Sequence, residues 1–418
     1  MPKRDPIGLA LAGGGPFGAI YEVGALMALE DSLDGLRLED LDCYVGVSAG
    51  GFLAAALANG IPVREIHRLF ILDGEGDGAF TPRVFMRPAL REYAARAGRL
   101  PGLVGRMAWR WITQGASPAS LQSFAAVGKL IPTGLFDNQA IDRYLESIFS
   151  RPGRSNDFRQ LRHKLFVVAT DLDRGESVTF GREGHDHVPI SKAVQASSAL
   201  PGLFPPVEIG GRFFVDGALR KTMHASEALE EGTRLVLCVN PIVPYDARLG
   251  MRKGGAAGAA LVEGGLPVVL SQTFRAIIHS RMTAGLAKYR GQYPDSDVVL
   301  FEPEPDDREV FFTSLFSYAA RQAVCEHAYE TTRADLLRRA PVLEPLFARH
   351  GIAMRWDVLE SRDRAMPPVM PRRAGRLGRS AAELDASLRA LQRVIGFAPC
   401  SPNPTATRSA RSGRGPGS

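Results

Sequence analysis

Cysteine is scarce in this chain: Cys43, Cys238, Cys325 and Cys400 stand far apart among 418 residues, with no CxxC pair. That spacing argues against a disulfide framework and against a cysteine-based zinc site. Long apolar runs are also missing. The opening MPKRDPIGLALAGGG sets charges before six apolar residues, Ile7 to Ala12, and ends in glycines. That run is too short for a signal-peptide core, so no leader is expected. The later apolar stretch Gly254 to Leu270 is interrupted by Glu263, several glycines and Pro267, so no membrane span is expected either. There is no internal repeat. These absences point to a reducing, cytoplasmic setting.

A net charge of +6 would suggest nucleic acid if it were spread over a domain, but Pro371 to Ser418 alone holds nine arginines against Glu383 and Asp385. The rest of the chain is close to neutral. The basic character is therefore that of a tail, suited to peripheral contact with an anionic membrane or lipid-body surface or to solvation, and no nucleic-acid partner is expected. An apolar share of 45% with 23% charged residues is that of a globular protein with a sizeable core.

What is present is concentrated in the first 240 residues, where strands alternate with helices, the pattern of an α/β sheet with helices on its faces. Ile7 to Ala12 reads as a buried strand. It leads into Gly13-Gly14-Gly15-Pro16-Phe17-Gly18 and then a helix over AIYEVGALMALED. Successive glycines let backbone N–H groups converge without steric cost, and a helix start adds positive potential, which together make an anion cradle. The letters also match a dinucleotide loop using Gly13, Gly15 and Gly18. In that reading the second strand should end in an acid for the ribose, whereas the second strand here ends in Ser48. The cradle is better read as an oxyanion hole serving that serine.

Leu41 to Leu57, LDCYVGVSAGGFLAAAL, reads as strand, sharp turn and helix. Gly46 and Gly50 flank Ser48 as a nucleophile elbow requires, and the N–H groups that begin the following helix, Ala49 first, would face a developing oxyanion. Further on, Arg212 to Val215 forms the second strand of a hairpin and delivers Asp216-Gly217-Ala218. This puts a carboxylate at the mouth of a sheet with small residues beside it.

Other features are weaker. Asp73 to Gly78 looks like a solvated acidic turn, and it lacks the distal Glu of an EF-hand. Thr81-Pro82 starts a helix. Leu100 to Ile131, apolar and basic together, suits a lid, an acyl-chain groove or simple helix packing. His185-Asp186-His187 lies in a Gly-rich loop and is read as loop rather than metal site, so neither metal nor cofactor is called for. Beyond Asn240 the pattern becomes helical: a Gly/Ala linker over 253 to 265, helices over 267 to 290 and 308 to 340, a strand over 297 to 301 and a helix near 342 to 350. Pro367 to Arg379 is a linker, Ser380 to Ile395 a possible amphipathic helix, and Gly396 to Ser418 has the composition of disorder.

Taken together, GGGPFG after the first strand, GVSAG after the second and QASSALPGLFPPVEIGGRFFVDGA downstream resemble the patatin-like phospholipase family over about Ile7 to Asn240. The resemblance implies a central, mostly parallel sheet flanked by helices, the elbow after the second strand, and helical C-terminal additions. It further implies a lipid acyl hydrolase with a Ser–Asp dyad and no histidine. Ser48 would be the nucleophile and Asp216 the general base, with Gly13, Gly14, Gly15 and Gly18 in the oxyanion loop. The domains expected are a catalytic core over 7–240, a mainly helical continuation or cap over 241–366 and a basic tail over 367–418. One departure stands out: the family usually has Arg or Lys where this chain has Phe17. A silent lipid-docking protein of the same fold, and a Ser–acid–His triad using His224, His279, His327 or His350, are the rival readings. His224 is read as a surface residue at a helix start.

Overall fold

The apolar runs IGLAL and CYVGV become the two central strands of an eight-stranded sheet, β1 (Ile7–Leu11) and β2 (Cys43–Val47). Both are buried along their whole length, as parallel strands covered by helices on both faces must be. The computed structural model describes residues 5–72, 88–89, 93, 133–220, 223–252, 259–312, 320–361 and 364–367. The remaining strands of this sheet are β3 (Lys164–Asp171), β4 (Glu176–Phe180), β5 (Val207–Ile209), β6 (Arg212–Asp216), β7 (Leu235–Val239) and β8 (Asp297–Phe301). Their order is β5-β6-β3-β2-β1-β7-β8, with β4 paired to β3. β3, β2, β1, β7 and β8 run parallel; β4 and β6 are antiparallel to β3, and β5 pairs antiparallel with β6.

β3 fixes the geometry of the site. Its first half, Lys164–Val168, pairs in parallel with β2, and its last residues, Ala169–Asp171, pair antiparallel with β6. β4 occupies Val167–Asp171 in both overlaps, so β2 and β6 must share the opposite edge. They run toward each other along it, with Val47 beside Val168 and Asp216 beside Ala169. The strand ends therefore meet head to head.

Helices cover the two faces. α1 (Gly15–Ser32), α2 (Ala49–Ala58) and α3 (Val63–Phe70) follow β1 and β2, and α4 (Gln139–Phe149) and α5 (Ile190–Ser197) flank β3 and β4. α6 (Ser226–Glu230) precedes β7, after which come α7 (Ala247–Arg252), α8 (Ala259–Glu263), α9 (Gly265–Gln292), α10 (Arg308–Phe312), α11 (Arg321–Arg349) and α12 (Trp356–Leu359). Alternation along β1 divides the core. Ile7, Leu9 and Leu11 face the larger cluster, with Leu26, Leu53 and Phe347, while Ala10 and Ala12 face the smaller one, with Val45, Ala228 and Met282. α1 and α2 are apolar almost all round, which suits helices packed on the sheet and covered again from outside. Cys43, Cys238 and Cys325 are buried free thiols. Among the described residues no helix is long and apolar enough to cross a membrane.

Three helix boundaries differ from the sequence reading. α1 begins at Gly15, so part of the glycine loop is already helical. The expected 253–265 linker contains helix α8. The helices expected over 308–340 and 342–350 are redrawn as the short α10 and the long α11, which continues through Pro341 and Pro345. An interior proline costs a helix about 3 kcal/mol. Here Ala340, Leu343 and Phe347 bury their side chains around those prolines, and that packing opposes the break. The expectations for Asp73–Gly78, Thr81-Pro82, Leu100–Ile131 and residues 368–418 lie outside the described residues.

Glu22 is wholly buried on α1, and burial raises its carboxyl pKa well above 4.5. Because the folded state holds this proton more tightly than the unfolded chain does, folding stability falls as pH rises above 4.5 toward the folded value. Glu22→Gln removes that dependence. The thermal midpoint of this variant should exceed that of the wild type by more at pH 8 than at pH 5, measured by circular dichroism.

Candidate active site

Ser48 occupies the turn between β2 and α2 with φ 53° and ψ −123°, a conformation costly for any residue with a side chain. The surroundings enforce it. A Cβ on Gly46 would come within 2.4 Å of the Gly51 Cα, and one on Gly50 within 2.4 Å of the Ala12 carbonyl oxygen, so only glycine lets strand and helix close so tightly. Gly50 donates its N–H to that Ala12 carbonyl at 3.2 Å. The Ser48 carbonyl accepts the N–H groups of Gly51 and Phe52, at 3.0 and 3.3 Å, which starts α2. Its own N–H is taken by the Ser197 hydroxyl at 2.7 Å, and Ser197 in turn donates to the Val168 carbonyl at 2.6 Å. One buried hydroxyl thus ties the elbow to β3.

Asp216 ends β6 directly opposite. Its N–H is held by the Ala199 carbonyl at 3.0 Å and its carbonyl by the Thr170 hydroxyl at 3.1 Å. The carboxylate accepts the Ala218 N–H at 2.9 Å and the Ser48 hydroxyl. Gly217 and Ala218 begin a 3-10 turn that keeps this carboxylate facing the elbow. Ser48 is 6% exposed and Asp216 3%. Burial raises the Asp216 pKa to about 6, against the lowering effect of its two hydrogen bonds. Nearby Asp171 shows the opposite balance. Burial would raise it too, but Arg212 and the N–H groups of Asp173 and Arg174 hold it below its ordinary value. Among the described residues, two buried aspartates on adjacent strands are thus set apart by the Arg212 guanidinium beside one and no cation beside the other.

The glycine loop lies against the same point. A Cβ on Gly13 would sit 3.2 Å from the Ser48 Cβ and 3.4 Å from the Ala218 Cβ. Gly14 caps α1 and Gly15 is its first residue, so N–H groups at this helix start have no intrahelical acceptor. Ala49 holds the equivalent first position of α2. Gly18 differs from the expectation: its N–H is already bonded to the Gly14 carbonyl at 3.0 Å. It is part of the first helical turn rather than an available donor. Its contribution is room for Pro241, whose Cγ a Cβ there would approach to 3.0 Å. Phe17, where a basic residue was expected, is 3% exposed within the larger core cluster, so the loop is anchored by burial instead of charge.

Three of the histidines after Asp216 pair with other carboxylates. His279 pairs with Glu302 at 3.4 Å, His327 with Asp307 at 2.7 Å and His350 with Asp297 at 2.8 Å. His224, expected at the surface, is 2% exposed with φ 47°, because the turn into α6 is folded into the smaller core. The groups that set the Asp216 carboxyl are Ala218 and Ser48. His185 stacks edge-on to Phe180 in the turn after β4. Among the described residues no group of three His, Cys, Asp or Glu side chains has the placement to hold a metal.

Sequence reasoning missed Ser197. It lies in Gln195-Ala196-Ser197-Ser198 with nothing to distinguish it from its neighbour, and only the approach of α5 to the elbow singles it out.

The fold and this turn define an α/β protein that presents a serine, on a strained strand-to-helix turn, to a buried aspartate. The family model for patatin-like phospholipases matches residues 9–229, more than half of the chain, and the chain belongs to that family. Among curated relatives, uncharacterized NTE family proteins of Mycobacterium bovis and Mycobacterium tuberculosis are 29% identical over 100 residues, 24% of this chain and 16% of theirs. The matched segment is thus a small part of those proteins. Among solved structures, VipD from Legionella pneumophila is 18% identical with a TM-score of 0.38, covering 79% of this chain and 66% of that one. The type III effector ExoU of Pseudomonas aeruginosa is 15% identical with a TM-score of 0.27, covering 92% and 68%.

Ser197→Ala would leave the Ser48 N–H and the Val168 carbonyl without their shared partner in a buried site. The expected cost is about 1–3 kcal/mol, read as a lower urea midpoint. An unchanged midpoint would show that the hydroxyl does not secure the elbow.

Proposed function

We propose that this protein is a lipid acyl hydrolase in which Ser48 is the nucleophile and Asp216 the general base. The observation that carries this reading is the Ser48 hydroxyl set beside a buried carboxylate that no cation among the described residues neutralises. A serine hydroxyl attacks an ester only as its proton leaves, and a carboxylate raised to about pH 6 is a better proton acceptor than an ordinary one while still ionised at neutral pH.

In this scheme Asp216 takes the hydroxyl proton as Oγ bonds to the ester carbonyl carbon. The oxygen that becomes negative is met by N–H groups of the Gly13–Gly15 segment and of Ala49. Each well-placed donor is worth about 3 kcal/mol of barrier. When the tetrahedral species collapses, the C–O bond to the alcohol breaks and Asp216 returns its proton to that alcohol. Water then attacks the acyl-Ser48 ester, giving its proton to Asp216. Collapse releases the fatty acid, and Ser48 recovers its hydrogen. In this scheme no separate histidine is needed, because the carboxylate takes the hydroxyl proton itself.

With purified protein and a soluble short-chain ester, Ser48→Ala and Asp216→Asn should each lose roughly 10⁴-fold in kcat, whereas His279→Ala should stay within about threefold of the wild type. Full activity in Ser48→Ala would remove the assignment, and a collapse in His279→Ala would transfer the base to that histidine.

The pH profile gives an independent check. Asp216 must be ionised to act, so kcat/KM should rise with pH through a limb near 6 and level off above it. A limb near pH 4 would show a solvent-exposed carboxylate instead.

A further inference from the structure

From the outer face of α8 and α9 we infer that this helical arm is a lipid-docking surface, seating the protein on anionic bilayers beside the site. Val262, Leu266, Val269, Leu270, Phe274 and Ile277 recur at three- and four-residue steps and are between 41% and 72% exposed. They form a continuous apolar stripe rather than scattered surface residues.

The opposite face of α9 is fully occupied. Gln272 exchanges hydrogen bonds with the Tyr245 backbone, Arg275 donates to the Val243 carbonyl, and His279 pairs with Glu302. Met282 is buried in the smaller core. The stripe is thus the face left over once the helix has packed.

Charge selects the occupant. Gly265 to Gln292 contains Arg275, Arg281, Lys288 and Arg290 and no Asp or Glu. Beyond Ile277 the exposed residues turn polar and basic, with Arg281, Lys288 and Arg290 at the surface. Glu263 at the end of α8 is the one acid among the described residues of the arm, and an apolar half followed by an acid-free cationic half suits insertion at the headgroup boundary of an anionic bilayer. A protein partner with an apolar groove would not need the acids to be absent.

Position ties the arm to the site. Arg281 donates to the carbonyl of Leu219, three residues beyond Asp216. Val243 and Tyr245, which hold α9, follow Pro241, the residue against Gly14 and Gly18. A bilayer contacting the stripe would lie next to the sheet end that holds Ser48. The inference rests on the lipid-hydrolase reading for its purpose but not for its test.

The experiment compares the full-length wild type with Leu270→Asp/Phe274→Asp and with Lys288→Gln/Arg290→Gln. Flotation is run with phosphatidylglycerol-containing and with pure phosphatidylcholine vesicles. Alongside it, soluble-ester turnover, circular dichroism and light scattering are measured. The wild type should prefer the anionic vesicles. The apolar variant should bind them roughly tenfold less or weaker still, and the basic variant several-fold less with a smaller salt dependence. Both should keep soluble-ester turnover and fold. Equal flotation of wild type and apolar variant, or no flotation of the wild type, overturns the inference. So does a wild-type dimer that the apolar variant dissociates with vesicle binding unchanged, which would assign the stripe to a second copy. Absence of ester turnover in the wild type would defeat the hydrolase reading alone, because flotation needs no turnover.

Discussion

Along one edge of β3, a parallel neighbour arrives from one end and an antiparallel neighbour from the other, and the two stop where they meet. Backbone pairing of this kind sets position to a fraction of a residue, since a slip by one would turn every side chain to the opposite face. Ser48 and Asp216, remote in sequence, are therefore placed by the same ladder that holds the core together. The Ser197 hydroxyl, bonded to both Ser48 and Val168, locks the elbow to that ladder. The strain at Ser48 is sustained because the surrounding contacts leave its backbone no relaxed alternative.

Electrostatics then divides the labour between two aspartates. Asp171 is held down by Arg212, whereas the groups that lower Asp216, among the described residues, are the Ala218 N–H and the Ser48 hydroxyl, and burial outweighs them. The comparison shows that burial alone does not set the pKa of an acid at a strand end, since Arg212 reverses its effect at Asp171. The buried ring of Phe17 fixes the glycine loop by packing in the larger core cluster.

The region after Asn240 completes the core and also shapes the surface. β8 extends the sheet beside β7, and α11 covers α1, with Tyr329 donating to Asp31 at 2.6 Å and Arg364 closing on the same carboxylate at 2.9 Å. This buried network joins the end of α1 to the C-terminal part. α9 packs by one face only and leaves its apolar stripe outside.

Much of this was legible in the residues. Five-residue apolar runs fixed the central strands, Gly46 and Gly50 around Ser48 fixed the elbow, and Asp216 before Gly217-Ala218 marked a strand end, because each is a local constraint of sterics or periodicity. Helix ends were less legible: Gly15 begins α1 and Pro341 and Pro345 lie within α11, since packing outweighed local propensity. The partnership of Ser48 with Asp216 was implied by the family resemblance and by no local pattern, whereas the bridge by Ser197, the burial of His224 and the helical bond that occupies the Gly18 N–H could not be read, because each depends on how an element packs or where a helix begins. The chain by itself determined which groups were available for chemistry. Only the tertiary structure decided which of them touch, because contacts between residues more than a hundred positions apart are set by sheet register and not by any local pattern.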